Sequence, residues 1–182
     1  EEQSRIKNIL KETIVREKGK AWTTDITYIK CEQETYYLIS YLDCYTRQIV
    51  SWGLYRRQTA QMLKEVLEKG ILKEKPMPGL IVHSDKGSQM RAKIFRNTVI
   101  TNGFINSYTS LGHSCDENAM QESFHASLKK EWLYCMKLTS FEQANKKIGE
   151  YIKYYNRRRL HSSLNMMSPD EFARLASSKK SA

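Results

Sequence analysis

The sequence predicts an α/β fold, a mixed five-stranded sheet flanked by helices. Three observations predict it. Runs at residues 23–30, 36–42 and 48–55 are rich in β-branched and aromatic residues, as strands are. Their connections, CEQE and then DCYTR, are short and polar, which favours an antiparallel meander. Helical patterns then alternate with two more short apolar runs. The resulting order, β-β-β-α-β-α-β-α-α, places helices against a mixed sheet.

Each element has its own signal. Residues 1–20 are polar, charged and helix-prone and end at Gly19, so a linker helix or arm is expected there. The core is expected over 21–175 and a polar tail over 176–182. Residues 59–70 read as an amphipathic helix, with Met62, Val66 and Leu67 on one face and Gly70 at its C-terminal end. KEKPMPG is a loop, 79–83 a short apolar strand, 88–101 a second helix and 104–108 the fifth strand. TSLGHSC, at 109–115, has no apolar period and reads as a mobile loop. Residues 116–135 form a long helix and 140–158 another, with Ser140, Glu142 and Gln143 giving a capped start. SPDEF predicts a short closing helix, with Ser168 as cap and Pro169 at its first position.

Hydrophobic residues make up 40% of the chain and charged residues 27%, as in a globular domain with a real core. Lys and Arg outnumber Asp and Glu by 30 to 20, a formal net charge of +10. That excess favours an anionic partner, nucleic acid being the commonest large one, over a protein that is merely basic. No apolar run approaches the roughly 20 residues that a membrane helix needs. No signal peptide is visible, and the first residue is not Met, so the sequence reads as a piece of a longer protein. Cys31, Cys44, Cys115 and Cys135 form no CxxC pair, and His83, His113, His125 and His161 lack zinc-finger spacing. Reduced thiols in a cytoplasmic protein are expected.

Three carboxylates carry the chemistry. Asp25 sits inside the first strand, where a charge among Trp22, Ile26, Tyr28 and Ile29 is locally expensive unless that face is exposed. Asp85 follows the fourth strand. Ligand groups favour the carboxyl ends of strands in α/β sheets, although a turn aspartate before Gly87 would look the same. Glu122 lies on the long helix, where Met120, Phe124 and Leu128 define a buried face. It falls about 200° from Phe124 and about 20° from Lys129, so it shares a side with that lysine. Two aspartates on strands and a glutamate on a helix can converge on one oxygen-rich pocket, which suits Mg²⁺ or Mn²⁺. Two such ions activate an attacking oxygen and stabilise a leaving oxygen at phosphorus. Asp43, at the start of DCYTR, reads as a turn residue. His83 and Ser84 lack the third partner of a hydrolase triad.

On these residues the sequence resembles insertion-sequence transposases with a retroviral-integrase-like core, more narrowly the OrfB-type proteins of the IS-three family. The matching stretches are WTTDITYI (22–29), YLDCYTRQIVSW (41–52), HSDKGSQ (83–89), DENAMQESFHASLKKE (116–131) and YYNRRRLHSSLNMMSP (154–169). The resemblance implies an RNase H-like fold and a D-D-E site of Asp25, Asp85 and Glu122, holding two Mg²⁺ or Mn²⁺ ions. Between Asp85 and Glu122 lie 36 residues, one more than the family pattern, with the extra residue in SCDENA. Glu117 is therefore a rival for the third position, although an acid at a helix start is also favoured by the dipole.

The resemblance further implies DNA contacts by Lys129 and Lys130, with a solvated lysine pair as the alternative. The Y-N-x-x-R-x-H pattern of Asn156, Arg159 and His161 is carried over with DNA contact and packing weighed equally. Ser88 and Gln89 are expected to orient Asp85 or approach DNA, and Gly87 to permit a tight turn. The implied function is metal-dependent DNA strand cleavage and strand transfer. The implied partners are transposon ends and target DNA, further copies of the chain on that DNA, and a helix-turn-helix upstream or on another polypeptide. A cytoplasmic, nucleoid-associated bacterial location goes with this, and no membrane. An RNase H-fold nuclease or resolvase, or a non-catalytic DNA-binding remnant, remains the alternative.

Overall fold

The computed structural model describes residues 7–110 and 118–178. Strands β1 (Ala21–Cys31), β2 (Glu34–Asp43) and β3 (Ile49–Tyr55) form the antiparallel meander, and β4 (Ile81–Ser84) and β5 (Ile105–Tyr108) extend it. The sheet order is β3-β2-β1-β4-β5, with β4 parallel to β1 and β5 parallel to β4. The mixed sheet is thus as the sequence predicts. Aromatic pairs help fix its register. Tyr28 lies opposite Tyr37, and their rings meet edge to face at 5.5 Å.

The helices are α1 (Ala60–Glu74), α2 (Ser88–Arg91), α3 (Lys93–Thr101), α4 (Ala119–Leu128), α5 (Phe141–Arg157) and α6 (Pro169–Ser178). Alternation along β2 sorts the core into two layers. Ile39 and Tyr41 face α1, with Trp22, Leu63 and Leu67. Leu38 and Leu42 face α4 and α5, with Phe124, Leu128 and Tyr151. Each fully buried side chain of this kind contributes roughly 1.5–3 kcal/mol.

Four local expectations are corrected. Residues 7–20 contain no helix. They run as turns and extended chain, pinned where Leu10 N–H donates to Ser107 Oγ (3.1 Å) and Gly19 N–H donates to Asp43 Oδ2 (2.8 Å). Gly70 does not end α1, which continues to Glu74 and is closed by Lys75 in the left-handed conformation. A Cβ on Gly70 would lie 2.8 Å from Ser51 Oγ and 3.1 Å from Trp22 Cζ3, so the glycine lets α1 settle onto the sheet. The helix expected over 88–101 is broken at Ala92, whose ψ of 138° is extended. The long helix runs α-helical only to Leu128 and then widens into a π-turn over Lys129–Leu133. Its expected start at Asp116, its rival Glu117 and most of the 109–115 loop lie outside the described residues.

The helix caps follow expectation. Ser140 Oγ accepts from Gln143 N–H (3.1 Å), and Ser168 Oγ accepts from Glu171 N–H (3.3 Å). Asp43 is a structural turn residue. Fully buried, it accepts from the N–H groups of Gly19, Tyr45 and Thr46. Among the described residues, no helix is long and apolar enough to cross a membrane.

Candidate active site

The site begins where β4 stops. Thr23 of β1 pairs with His83 of β4, which ends at Ser84, while β1 runs on to Cys31. Continued two places, this parallel register sets Asp25 beside Asp85. Beyond that point β1 has an open edge on the β4 side. The chain leaves β4 through an Asx-type turn, in which Gly87 N–H donates to Asp85 Oδ1 (2.9 Å). Gly87 has φ −54°, which any residue adopts, so the expected conformational role is corrected. Its role is spatial, because a Cβ there would stand 3.0 Å from Asp85 Oδ1.

Glu122 is brought to the same end by α4, and it is exposed as helical geometry predicts. The buried stripe of α4 is Gln121, Phe124, His125 and Leu128, with Met120 only half-buried. Two polar residues in that stripe are ones that sequence reasoning misses. Gln121 is fully buried. Its amide donates to Thr23 O (2.7 Å) and Ser40 O (3.1 Å), and its Oε1 accepts from Ser40 Oγ (2.8 Å). It bolts α4 to β1 and β2 directly behind the carboxylates, since Ser40 lies opposite Asp25 in the sheet. His125 Nδ1 stands 3.5 Å from Asp25 Oδ2, but burial pulls the imidazole pKa down to about 3, with Lys129 adding to the effect. The ring is therefore neutral, and the contact is not an ion pair. The spacing i, i+3, i+4, i+7 across 121–128 is the signal that could have found both residues.

An open recess of about 390 Å³ is lined by Asp25, Thr27, Glu122, His125, Lys129 and Lys130, among others. Lys129 Nζ donates to Thr27 Oγ1 (2.7 Å), one same-face step along β1 from Asp25. Burial pushes the Asp25 carboxyl from the usual 3.8 up to about 6. The Ile26 N–H opposes this, the negative charges of Asp85 and Glu122 reinforce it, and Lys129 opposes it. The charges of Asp85 and Glu122 therefore both reach Asp25 through space. Among the described residues, no three His, Cys, Asp or Glu side chains are already gathered into an ion cage. The donor set still fits a hard divalent cation. It consists of carboxylate oxygens on three separate elements, and the buried one is destabilised by its like-charged neighbours. A larger cavity of about 650 Å³, lined by Lys18, Lys20, Glu74 and Pro76 among others, shares no residue with this recess.

Of the residues expected on DNA, Lys129 and Lys130 line the recess and Gln89 sits half-buried on α2, where its Oε1 accepts from Ser88 Oγ (3.1 Å). The other three are engaged with partners in the fold, as the packing alternative for this segment expects. Asn156 Oδ1 accepts from Ile49 N–H (2.9 Å) and its Nδ2 donates to Ile49 O (3.0 Å), continuing β3 as a strand would. Arg159 grips both oxygens of Glu131, at 2.7 Å and 3.0 Å, and donates to Ser127 Oγ (3.1 Å). His161 packs edge-on against Tyr155, and burial lowers its pKa to about 4, leaving it without charge for a phosphate.

The mixed five-stranded sheet with its flanking helices is the fold of retroviral integrase catalytic cores. The HTLV-2 integrase catalytic core domain, in a structure with magnesium, superposes with a TM-score of 0.68 at 15% identity, over 86% of this chain and 97% of that one. The BIV integrase catalytic core domain superposes with a TM-score of 0.66 at 14% identity, over 90% and 99%. The chain belongs to the integrase core domain family, whose sequence models match residues 15–114 and 101–169. It is 36% identical over 155 residues to the transposase for insertion sequence element IS904 of Lactococcus lactis, covering 85% of this chain and 61% of that protein. Against the transposase InsF for insertion sequence IS3A of Escherichia coli the figures are 31%, 85% and 54%. The chain thus spans only part of the length of these relatives.

Proposed function

We propose that this chain is the catalytic core of an insertion-sequence transposase, which cleaves and joins DNA strands with Asp25, Asp85 and Glu122 holding divalent metal, Mg²⁺ or Mn²⁺, as two ions. The observation that carries this is Asp25. Burial at the β1/β4 divergence raises the pKa of its carboxyl, and the charges of Asp85 and Glu122 add to that rise. When bound, such ions activate the attacking oxygen and stabilise the leaving one. The protein's part is positional. Gln121 fixes the helix carrying Glu122, Gly87 leaves room for the Asp85 carboxylate, and burial keeps His125 neutral beside Asp25. Lys129, Lys130 and Gln89 contact DNA phosphates at the rim, and such contacts position a substrate without reading its sequence.

Sequence recognition then belongs to a helix-turn-helix elsewhere, upstream or on another polypeptide. Pairing two transposon ends calls for further copies of the chain on the DNA. The setting is the nucleoid of a bacterial cytoplasm.

The test is strand transfer of a pre-cut transposon-end oligonucleotide into plasmid DNA with Mg²⁺ or Mn²⁺. Asp25→Asn, Asp85→Asn and Glu122→Gln are each expected to reduce joining to background while DNA binding persists. Full joining by Asp25→Asn or Asp85→Asn would sink the proposal. Joining by Glu122→Gln together with its loss in Glu117→Gln would move the third ligand to Glu117.

A further inference from the structure

We propose that a groove beside the carboxylate recess is a stacking site for unpaired nucleotides flanking the scissile phosphate. This rests on reading the chain as a DNA strand-transferring core. The groove has a volume of about 460 Å³ and runs along the open edge of β1. Ile29, Leu133 and Leu138 are its buried members, and Tyr28 and Tyr134 are its exposed aromatic rims. It shares Lys129 and Tyr134 with the recess that holds Asp25 and Glu122. A strand leaving the carboxylates therefore enters it without crossing other surface.

Tyr134 is spent in a way folding does not explain, and Tyr28 is explained only in part by its pairing with Tyr37. Tyr28 is 55% exposed and Tyr134 is 74% exposed, so neither ring gains much from the core. Tyr28 is braced by the Tyr37 ring at 5.5 Å, which leaves its outer face free. Tyr134 directly succeeds the π-turn, and its N–H donates to Lys129 O (2.8 Å). π-bulges in helices recur at functional sites, where the extra residue re-aims the side chains beyond it. The π-turn itself is held by Glu131, which accepts from Tyr151 Oη (2.9 Å) and from Arg159. Arg159 and Tyr151 thereby brace the wall of the groove.

Charge selects the occupant. Lys30 and Lys129 line the groove and Lys130 the adjoining recess, whereas nearby Glu32 is already paired with Lys137 (3.5 Å). A lysine rim on an aromatic cleft suits a nucleic-acid strand, whose phosphates meet the ammonium groups and whose bases stack on the rings. An apolar protein surface would strand those charges. Every base has a π-face, so the site accepts unpaired bases of any identity.

The test compares two DNA ends by competition binding in EDTA, so that no chemistry occurs. One is a blunt duplex, and the other carries three unpaired nucleotides with 2-aminopurine among them. The chain is expected to bind the unpaired end about tenfold more tightly, with quenched 2-aminopurine fluorescence. Tyr134→Ala removes both the preference and the quenching, and Tyr134→Phe keeps them. Equal affinity of the unsubstituted chain for both ends would overturn the proposal. So would an equal loss on both ends in Tyr134→Ala, or a change in oligomeric state with the preference intact. If the chain binds both ends alike yet joins strands in a carboxylate-dependent way, only the stacking site fails. If it binds neither, the transposase reading fails with it.

Discussion

Asp25→Asn is expected to yield a protein that is inactive in strand transfer and more stable than its parent at neutral pH. The reason lies in the raised pKa of this carboxyl, about 6 against the usual 3.8. A group whose folded pKa lies above its unfolded value supports folding fully at pH below the unfolded pKa. That support is lost as pH rises through the folded one. Above about pH 6, folding therefore works against the ionised Asp25, whose side chain is only 23% exposed. A shift of this size corresponds to about 2 kcal/mol after allowance for residual solvent. Asparagine removes the charge and keeps an oxygen for the Ile26 N–H, which donates to Asp25 Oδ1 at 2.8 Å. Thermal unfolding in chelator at pH 7.5 should show Tm raised by about 4–8 °C. The gain should vanish near pH 4, where the parent carboxyl is protonated in the folded state. A variant less stable than its parent at pH 7.5 would show that this charge is not held against its solvation. Stability given up for function in this way is expected where charge must be kept ready for a ligand.

Gln121→Leu should have the largest structural effect. The leucine fits the space roughly but forfeits three hydrogen bonds, those of the Gln121 side chain to Thr23 O, Ser40 O and Ser40 Oγ, the last of which keeps only its 3.4 Å contact with His125 Nε2. Each lost hydrogen bond costs about 0.5–1.5 kcal/mol, so a total loss of about 3 kcal/mol is expected. Denaturant midpoints read that loss directly. Because α4 carries both Gln121 and Glu122, strand transfer should fall at least about tenfold at temperatures where the variant is still folded, since small misplacements of a catalytic group are expensive. An unchanged midpoint would mean that the amide is not the bolt between helix and sheet.

The sheet is legible in the sequence because its signals are local. Alternation, β-branched residues and short polar connections over residues 21–55 depend on neighbours along the chain. Asp25 and Asp85 are legible for a similar reason, one as a charge inside a strand and the other as an acid at a strand end. The features that escape are tertiary. Gly70 looks like a helix terminator in sequence, and only the approach of Ser51 and Trp22 shows it to be a contact point. Residues 7–20 have helix-prone composition, but Ile9, Leu10 and Val15 pack against the core without a helix, and the anchors of the segment lie on β5 and at the end of β2. Gln121 and His125 escape because polar residues are expected outside, although their spacing places them on the buried stripe. For Asn156 and Arg159 the sequence leaves DNA contact and packing evenly weighed. Their partners, Ile49 and Glu131, lie too far away in sequence for the pairing to be seen.

The central claim is that Asp25, Asp85 and Glu122 together hold divalent metal. Calorimetric titration of Mn²⁺ into the chain and into Asp25→Asn, Asp85→Asn and Glu122→Gln tests it most directly. Saturable binding by the parent is predicted, weakened at least about tenfold in each variant, because a neutral amide cannot replace a carboxylate toward a hard cation. Binding that is equally strong in the parent and in all three variants would contradict it.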